Sequence, residues 1–118
     1  MKEFRGRVAV ITGAAEGIGK AIAVKAAAEG MKLVLADIDG EALASVIRGF
    51  QDEGIETVGL AMDVSKQDLI EALADLAFNR FGHVHLLVNN AGVASLKPVW
   101  EVSQGEWDWV IGVNLFGV

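Results

Sequence analysis

Cysteine is absent from these 118 residues. That excludes a disulfide framework and any thiolate metal site, and it fits a reducing, cytoplasmic setting. Positive charge is scarce. Lys and Arg number 10 against 16 Asp and Glu, a net charge of −6, whereas binding to nucleic acid needs clustered basic groups facing the phosphates. No nucleic-acid partner is expected. No apolar stretch reaches the roughly 18–20 residues that span a bilayer, so no membrane partner is expected either. Met1-Lys2-Glu3-Phe4-Arg5 lacks the apolar core of a signal peptide. Repeats, low-complexity tracts and long linkers are also missing, and the length suits one domain with a real core.

What the chain does contain is Val8-Ala9-Val10-Ile11-Thr12-Gly13-Ala14-Ala15-Glu16-Gly17-Ile18-Gly19. A short β-branched run reads as a buried parallel strand. The three glycines after it permit a tight turn and close approach of a ligand. A helix beginning there points unpaired N–H groups and its positive dipole end at the turn, an anion site. A P-loop needs four residues between its first glycine and Gly-Lys, then Ser or Thr for magnesium. Here five residues separate Gly13 from Gly19-Lys20, and Ala21 takes the hydroxyl position, so that reading fails. A dinucleotide site needs an acidic residue about 20 positions on, at the end of the second strand, to hold a ribose diol. Lys32-Leu33-Val34-Leu35-Ala36-Asp37 ends in that carboxylate.

Strand and helix patterns alternate along the whole chain. Strands are expected over 7–12, 32–37, 56–61 and 85–89. The first helix should run from Gly17 to Glu29 with Gly30 as its cap. Asp39 should cap a second, reaching Gln51 before a turn at Gly54, and Ser65 a third, which ends at Phe81 before Gly82. Leu69, Leu73 and Leu76 share one face of that third helix. Ser103-Gln104-Gly105-Glu106 has the form of a capping box, so a last helix starts near Gln104. Apolar residues surround it almost completely, as expected of a helix covered on every side. The alternation implies an α/β fold with a parallel sheet and helices on both faces.

Four motifs carry a family resemblance. Thr12-Gly13-Ala14-Ala15-Glu16-Gly17-Ile18-Gly19 resembles the TGxxxGxG signature of the short-chain dehydrogenases/reductases. Asn89-Asn90-Ala91-Gly92, after an apolar strand, is similar to that family's NNAG element. Asp63-Val64 is similar to its adenine-contacting pair, and Asn114 in Val113-Asn114-Leu115 to the asparagine of its catalytic tetrad. The resemblance runs from about residue 5 to the last residue. It implies half of a doubly wound Rossmann-type sheet, strand order 3-2-1-4, and an NAD-dependent alcohol or carbonyl oxidoreductase. The implied cofactor contacts are Gly13, Glu16, Gly17, Ile18, Gly19, Asp37, Ile38, Asp63, Val64, Asn90, Ala91 and Gly92. The family's catalytic Ser and Tyr-x-x-x-Lys pair have no counterpart here, and the chain contains no tyrosine. The chain therefore resembles the N-terminal, cofactor-binding half of such an enzyme, a single truncated domain over 1–118, expected to be inactive alone. Its hydrophobic fraction of 53% and mean hydropathy of +0.41 fit apolar faces shaped to be covered by further elements.

Each of these residues also has a plainer reading. The glycines would serve a tight connection, Asp37 a solvated strand end or helix cap, Asp63 the turn before Ser65, and Asn90 a backbone brace. The Asp37 spacing favours the ribose role. A carboxylate there repels a 2′-phosphate, Glu16 adds a second negative charge, and Ile38 stands where NADP users of the family often carry a basic residue. NAD is thus expected over NADP. Asn114 lies in an apolar stripe, where an unpartnered polar group costs about 1–3 kcal/mol; with Ser, Tyr and Lys absent, bonding to nearby backbone or water is expected of it. His83 and His85 lack further metal ligands and read as an exposed strand entrance. Trp100, Trp107 and Trp109 read as core or interface packing rather than a ligand site. Strand four, left as a sheet edge, and the apolar last helix imply a homo-oligomer, a symmetric dimer. The alternatives to an oxidoreductase are a non-catalytic module binding NAD or its adenosine part, and a self-associating structural fragment.

Overall fold

The computed structural model describes residues 2–118. Its strands are β1 (Val8–Thr12), β2 (Lys32–Asp37), β3 (Thr57–Ala61) and β4 (Leu86–Val88). Helices α1 (Gly17–Ala28), α2 (Gly40–Asp52) and α3 (Gln67–Phe81) alternate with them, and α4 (Gln104–Ile111) runs on into a π-helical turn, Gly112–Phe116. The strands form one parallel sheet in the order β3-β2-β1-β4. The expected order and fold class are thus observed, with strands one, three and four each shorter than expected.

Side chains alternate across a strand, so each strand feeds two cores. Ala9, Ile11, Leu33 and Leu35 meet Ala23 and Ala26 of α1 and Leu43 and Phe50 of α2. Val8, Val10, Val34 and Ala36 pack with Leu73 and Ala77 of α3 and with Val113. Leu69 and Leu76 flank Leu73 as the helical spacing requires. β1 and the middle of β2 are buried on both faces, which explains why they read as unbroken apolar runs.

One helix start differs from expectation for a local reason. α3 starts without a side-chain cap at Lys66, because the Ser65 hydroxyl donates instead to Asp63 Oδ1 at 2.7 Å. α4 begins as expected, with Ser103 Oγ accepting from the Glu106 N–H at 3.1 Å. Its residues up to Ile111 include none that is buried, so the apolar surface read from the sequence stands largely open.

His85 lengthens the β1–β4 pairing by one step. Its N–H donates to the Val8 carbonyl at 2.9 Å, and its Nδ1 accepts from the Val8 N–H at 2.9 Å. A protonated ring has no acceptor for that bond. Desolvation, then the charges of Arg7 and His83, hold its pKa below the ordinary 6.5. With the folded pKa below the unfolded one, the unfolded chain binds the proton first as pH falls, so this stability is complete above about pH 6.5 and shrinks below it. Thermal melts followed by circular dichroism should show Tm dropping between about pH 7 and about pH 5.5. His85→Asn, whose amide oxygen accepts without titrating, should show a smaller drop; an identical drop would assign it to other groups.

Candidate functional site

The site is built on the seam where β1 and β4 end side by side. Thr12, the last residue of β1, is buried, and its Oγ1 accepts from the N–H groups of Asn90 at 3.1 Å and Ala91 at 3.0 Å. The Asn90 amide returns the contact, its Nδ2 donating to the carbonyls of Thr12 at 3.1 Å and Gly13 at 3.2 Å. Gly13 and Gly17 both take left-handed backbone, with φ of +65° and +59°. A Cβ on Gly19 would strike the Gly13 carbonyl, which leaves only glycine at that point of α1. Above Gly17, by contrast, nothing lies within 4 Å of where a Cβ would be. Glu16 places no side-chain cap on α1, so the first N–H groups of the helix are left to the space over the turn.

Asp37 closes the other side. Its Oδ2 accepts from the Ala15 N–H at 3.0 Å and its Oδ1 from the Asp39 N–H at 3.0 Å. Asp39 is the helix cap here, accepting from the Ala42 N–H at 3.1 Å, so capping does not occupy Asp37. Asp63 Oδ1 receives the Ser65 hydroxyl and the Ser65 N–H at 2.9 Å. Those bonds hold the Asp63 carboxyl below its ordinary 3.8 and keep it charged.

Between these elements lies a cleft of about 360 Å³. Its far wall is α4 and the segment after β4. Asn114 fixes one to the other: its Oδ1 accepts from the Val93 N–H at 2.8 Å and its Nδ2 donates to the Val93 carbonyl at 2.7 Å. Glu106 adds a second tie, accepting from Ser95 Oγ at 2.9 Å and Lys97 Nζ at 2.6 Å.

Of the residues singled out in the sequence, Gly13, Glu16, Asp37, Ile38, Asp63, Val64, Asn90, Ala91 and Gly92 line this cleft. Gly19 is buried inside the turn and Ile18 is exposed beside it. Asn114 is exposed, spent on Val93 and not among the residues lining the cleft. Met62, Val93, Trp109 and Val113 line the cleft as well and were not anticipated. Of the core or interface packing expected of the tryptophans, the core part is corrected: Trp100, Trp107 and Trp109 are all exposed in the single chain, because the last helix meets the sheet through Val113 of its π-helical turn rather than through its indoles. The sequence offers Thr12 as part of a motif and no role for its side chain. Its partners lie 76–79 residues away, beyond any local pattern.

The sequence matches the family profile described as short chain dehydrogenase over residues 7–118. A CLA biosynthesis dehydrogenase/reductase of Lactiplantibacillus plantarum is 40% identical over 115 residues, covering 98% of this chain and 40% of the relative. A short-chain dehydrogenase/reductase from Burkholderia phymatum, crystallised in complex with NAD, superposes with a TM-score of 0.96 at 52% identity, over 99% of this chain and 42% of that one. A metagenomic short-chain oxidoreductase in complex with NADP gives a TM-score of 0.88 at 41% identity, over 96% of this chain and 52% of that one. The chain thus spans less than half the length of the curated relative it matches.

The Thr12 hub generates a stability prediction independent of any ligand. Thr12→Val keeps the shape but takes the acceptor from the Ala91 N–H and leaves the Asn90 N–H with only the Val88 carbonyl at 3.1 Å, at a cost of about 1–3 kcal/mol for an unsatisfied group. Thr12→Ser retains the acceptor and should lose only about 1 kcal/mol, for its missing methyl. Urea denaturation of the two variants checks the order; equal losses would deny the hydroxyl its role.

Proposed function

This chain belongs to the short-chain dehydrogenase family, and we propose that it is the cofactor-binding part of an NAD-dependent member acting on alcohols or carbonyls. The observation that carries the reading is the Asp37 carboxylate, held at the cleft wall by the N–H groups of Ala15 and Asp39. A carboxylate has about four lone-pair sites, so each oxygen keeps capacity for a ribose hydroxyl. A 2′-phosphate would meet a wall with Glu16, Asp37 and Asp63 and neither lysine nor arginine, which favours NAD over NADP. The pyrophosphate suits the uncapped start of α1, over the open space at Gly17.

In this reading Ile38, Asp63 and Val64 hold the adenosine side, while Asn90, Ala91 and Gly92 shape the strand-four side. Gly13, Gly17, Ile18 and Gly19 form the phosphate turn with Glu16. The nicotinamide, when bound, supplies a centre that accepts or gives hydride. These residues bind and orient it. Asn114 is the single member of the family's catalytic tetrad with a counterpart here, and among these 118 residues nothing takes the tyrosine role of general acid and base. The chain alone is therefore proposed to bind cofactor without turning over substrate.

Self-association is a second property that a specific observation favours. β4 is the edge of the sheet and Leu87 on it is 56% exposed, while the π-helical turn exposes Leu115 and Phe116, the latter to 76%. Such an edge and an adjoining apolar face are templates for pairing, which supports a symmetric dimer through strand four and the last helix. Sedimentation velocity should give a dimer that Leu87→Lys with Phe116→Asp converts to monomer; a monomeric wild type removes this proposal.

Titration of the 118-residue protein with NADH, followed by nicotinamide fluorescence, tests the main reading. Saturable binding is expected, with NADPH weaker by about tenfold or more, a difference of about 1.4 kcal/mol. Asp37→Ala should abolish most NADH binding in a protein that circular dichroism shows still folded. NADPH bound as tightly as NADH would refute the preference. No binding of either would refute the cofactor site.

A further inference from the structure

Trp109 is the one aromatic side chain among the residues lining the cleft. It is 45% exposed although it sits on an apolar helix, and Val113, one turn later on the same helix face, is buried against the sheet and also reaches the cleft. The helix that presents Trp109 is braced along its length. Asn114 ties it to Val93 and Glu106 ties it to Ser95 and Lys97. A Cβ on Gly117 would come within 2.7 Å of Val64 Cγ2, and one on Gly112 within 3.2 Å of Ser65 Cβ, so the helix end sits hard against the segment after β3. A helix braced this way presents Trp109 from a fixed backbone, so less ordering remains to be done on meeting a ligand.

The chemistry around it narrows the occupant. The charged side chains lining the cleft, Glu16, Asp37 and Asp63, are all acidic, so an anionic group gains nothing from side chains here. A neutral, flat heteroaromatic ring gains from a π-face and is indifferent to the missing cations. Ile38, exposed, and Val64 supply further apolar surface along the same cleft. We infer that Trp109 contacts the purine ring of the bound nucleotide, adding an aromatic face to a base site that the sequence motifs alone would line with aliphatic residues. The inference rests on the dinucleotide reading above and assigns Trp109 a ligand-binding role in place of packing.

The test is calorimetric titration of the full 118-residue protein with ADP-ribose, which carries the base but no nicotinamide. Trp109→Leu should weaken binding by roughly tenfold, the size of one base–aromatic contact, and Trp109→Phe should restore it to within about threefold. Trp107→Leu, on the same helix but outside the cleft lining, should leave affinity unchanged. In a Trp100→Phe, Trp107→Phe background, the remaining indole should change its emission saturably as ADP-ribose is added. Equal binding by wild type and Trp109→Leu overturns the inference and spares the dinucleotide reading. Equal weakening by Trp107→Leu overturns it too, by tracing the loss to the helix. Failure of wild type to bind ADP-ribose removes both.

Discussion

Everything about this cleft depends on the clasp between Thr12 and Asn90, which locks the ends of two neighbouring strands to each other. β1 and β4 pair over only three positions, so little else in the ladder fixes where their C-terminal ends point. The Thr12 hydroxyl gathers two N–H groups from the β4 side, and the Asn90 amide bonds two carbonyls on the β1 side. The clasp positions Gly13, and Gly13 in turn sets how closely Gly19 can bring α1. The start of that helix is thereby aimed, and with it the N–H groups to which the proposed reading assigns the pyrophosphate.

The electrostatics run against intuition for an anion site. Side chains contribute only negative charge to the cleft, so in the proposed reading attraction for a pyrophosphate would come from backbone donors and the helix dipole. Those donors are directional and short-ranged. They would reward a phosphate at one place, while the surrounding carboxylates would penalise extra charge elsewhere. Selectivity against a second phosphate would then follow from the same walls that leave the first one unopposed by side chains. Asp37 joins the two effects, because bracing the glycine turn through Ala15 also sets the direction of its own carboxylate.

The legible part of this molecule was the local part. Buried strands announce themselves as β-branched runs, glycines mark helix ends, and β2 falls on the very residues expected, Lys32–Asp37. Strand order came from family resemblance, since periodicity carries no information about which strands are neighbours. What stayed hidden depends on partners far along the chain. Nothing near Asn114 reveals Val93, 21 residues earlier, or the π-helical turn that carries the residue out to solvent. The exposure of Trp109 is hidden for a related reason: an apolar helix looks buried in sequence, and only its docking through Val113 decides which side faces the cleft.

The central claim is that the glycine turn and Asp37 form one nucleotide site, and amide-resolved NMR of the 15N-labelled chain during addition of ADP-ribose tests it most directly. The amides of Gly13 to Gly19 and of Asp37 and Ile38 should shift together, along a single saturation curve. Shifts confined to the exposed apolar surface of α4 and β4, or none at all, would contradict it.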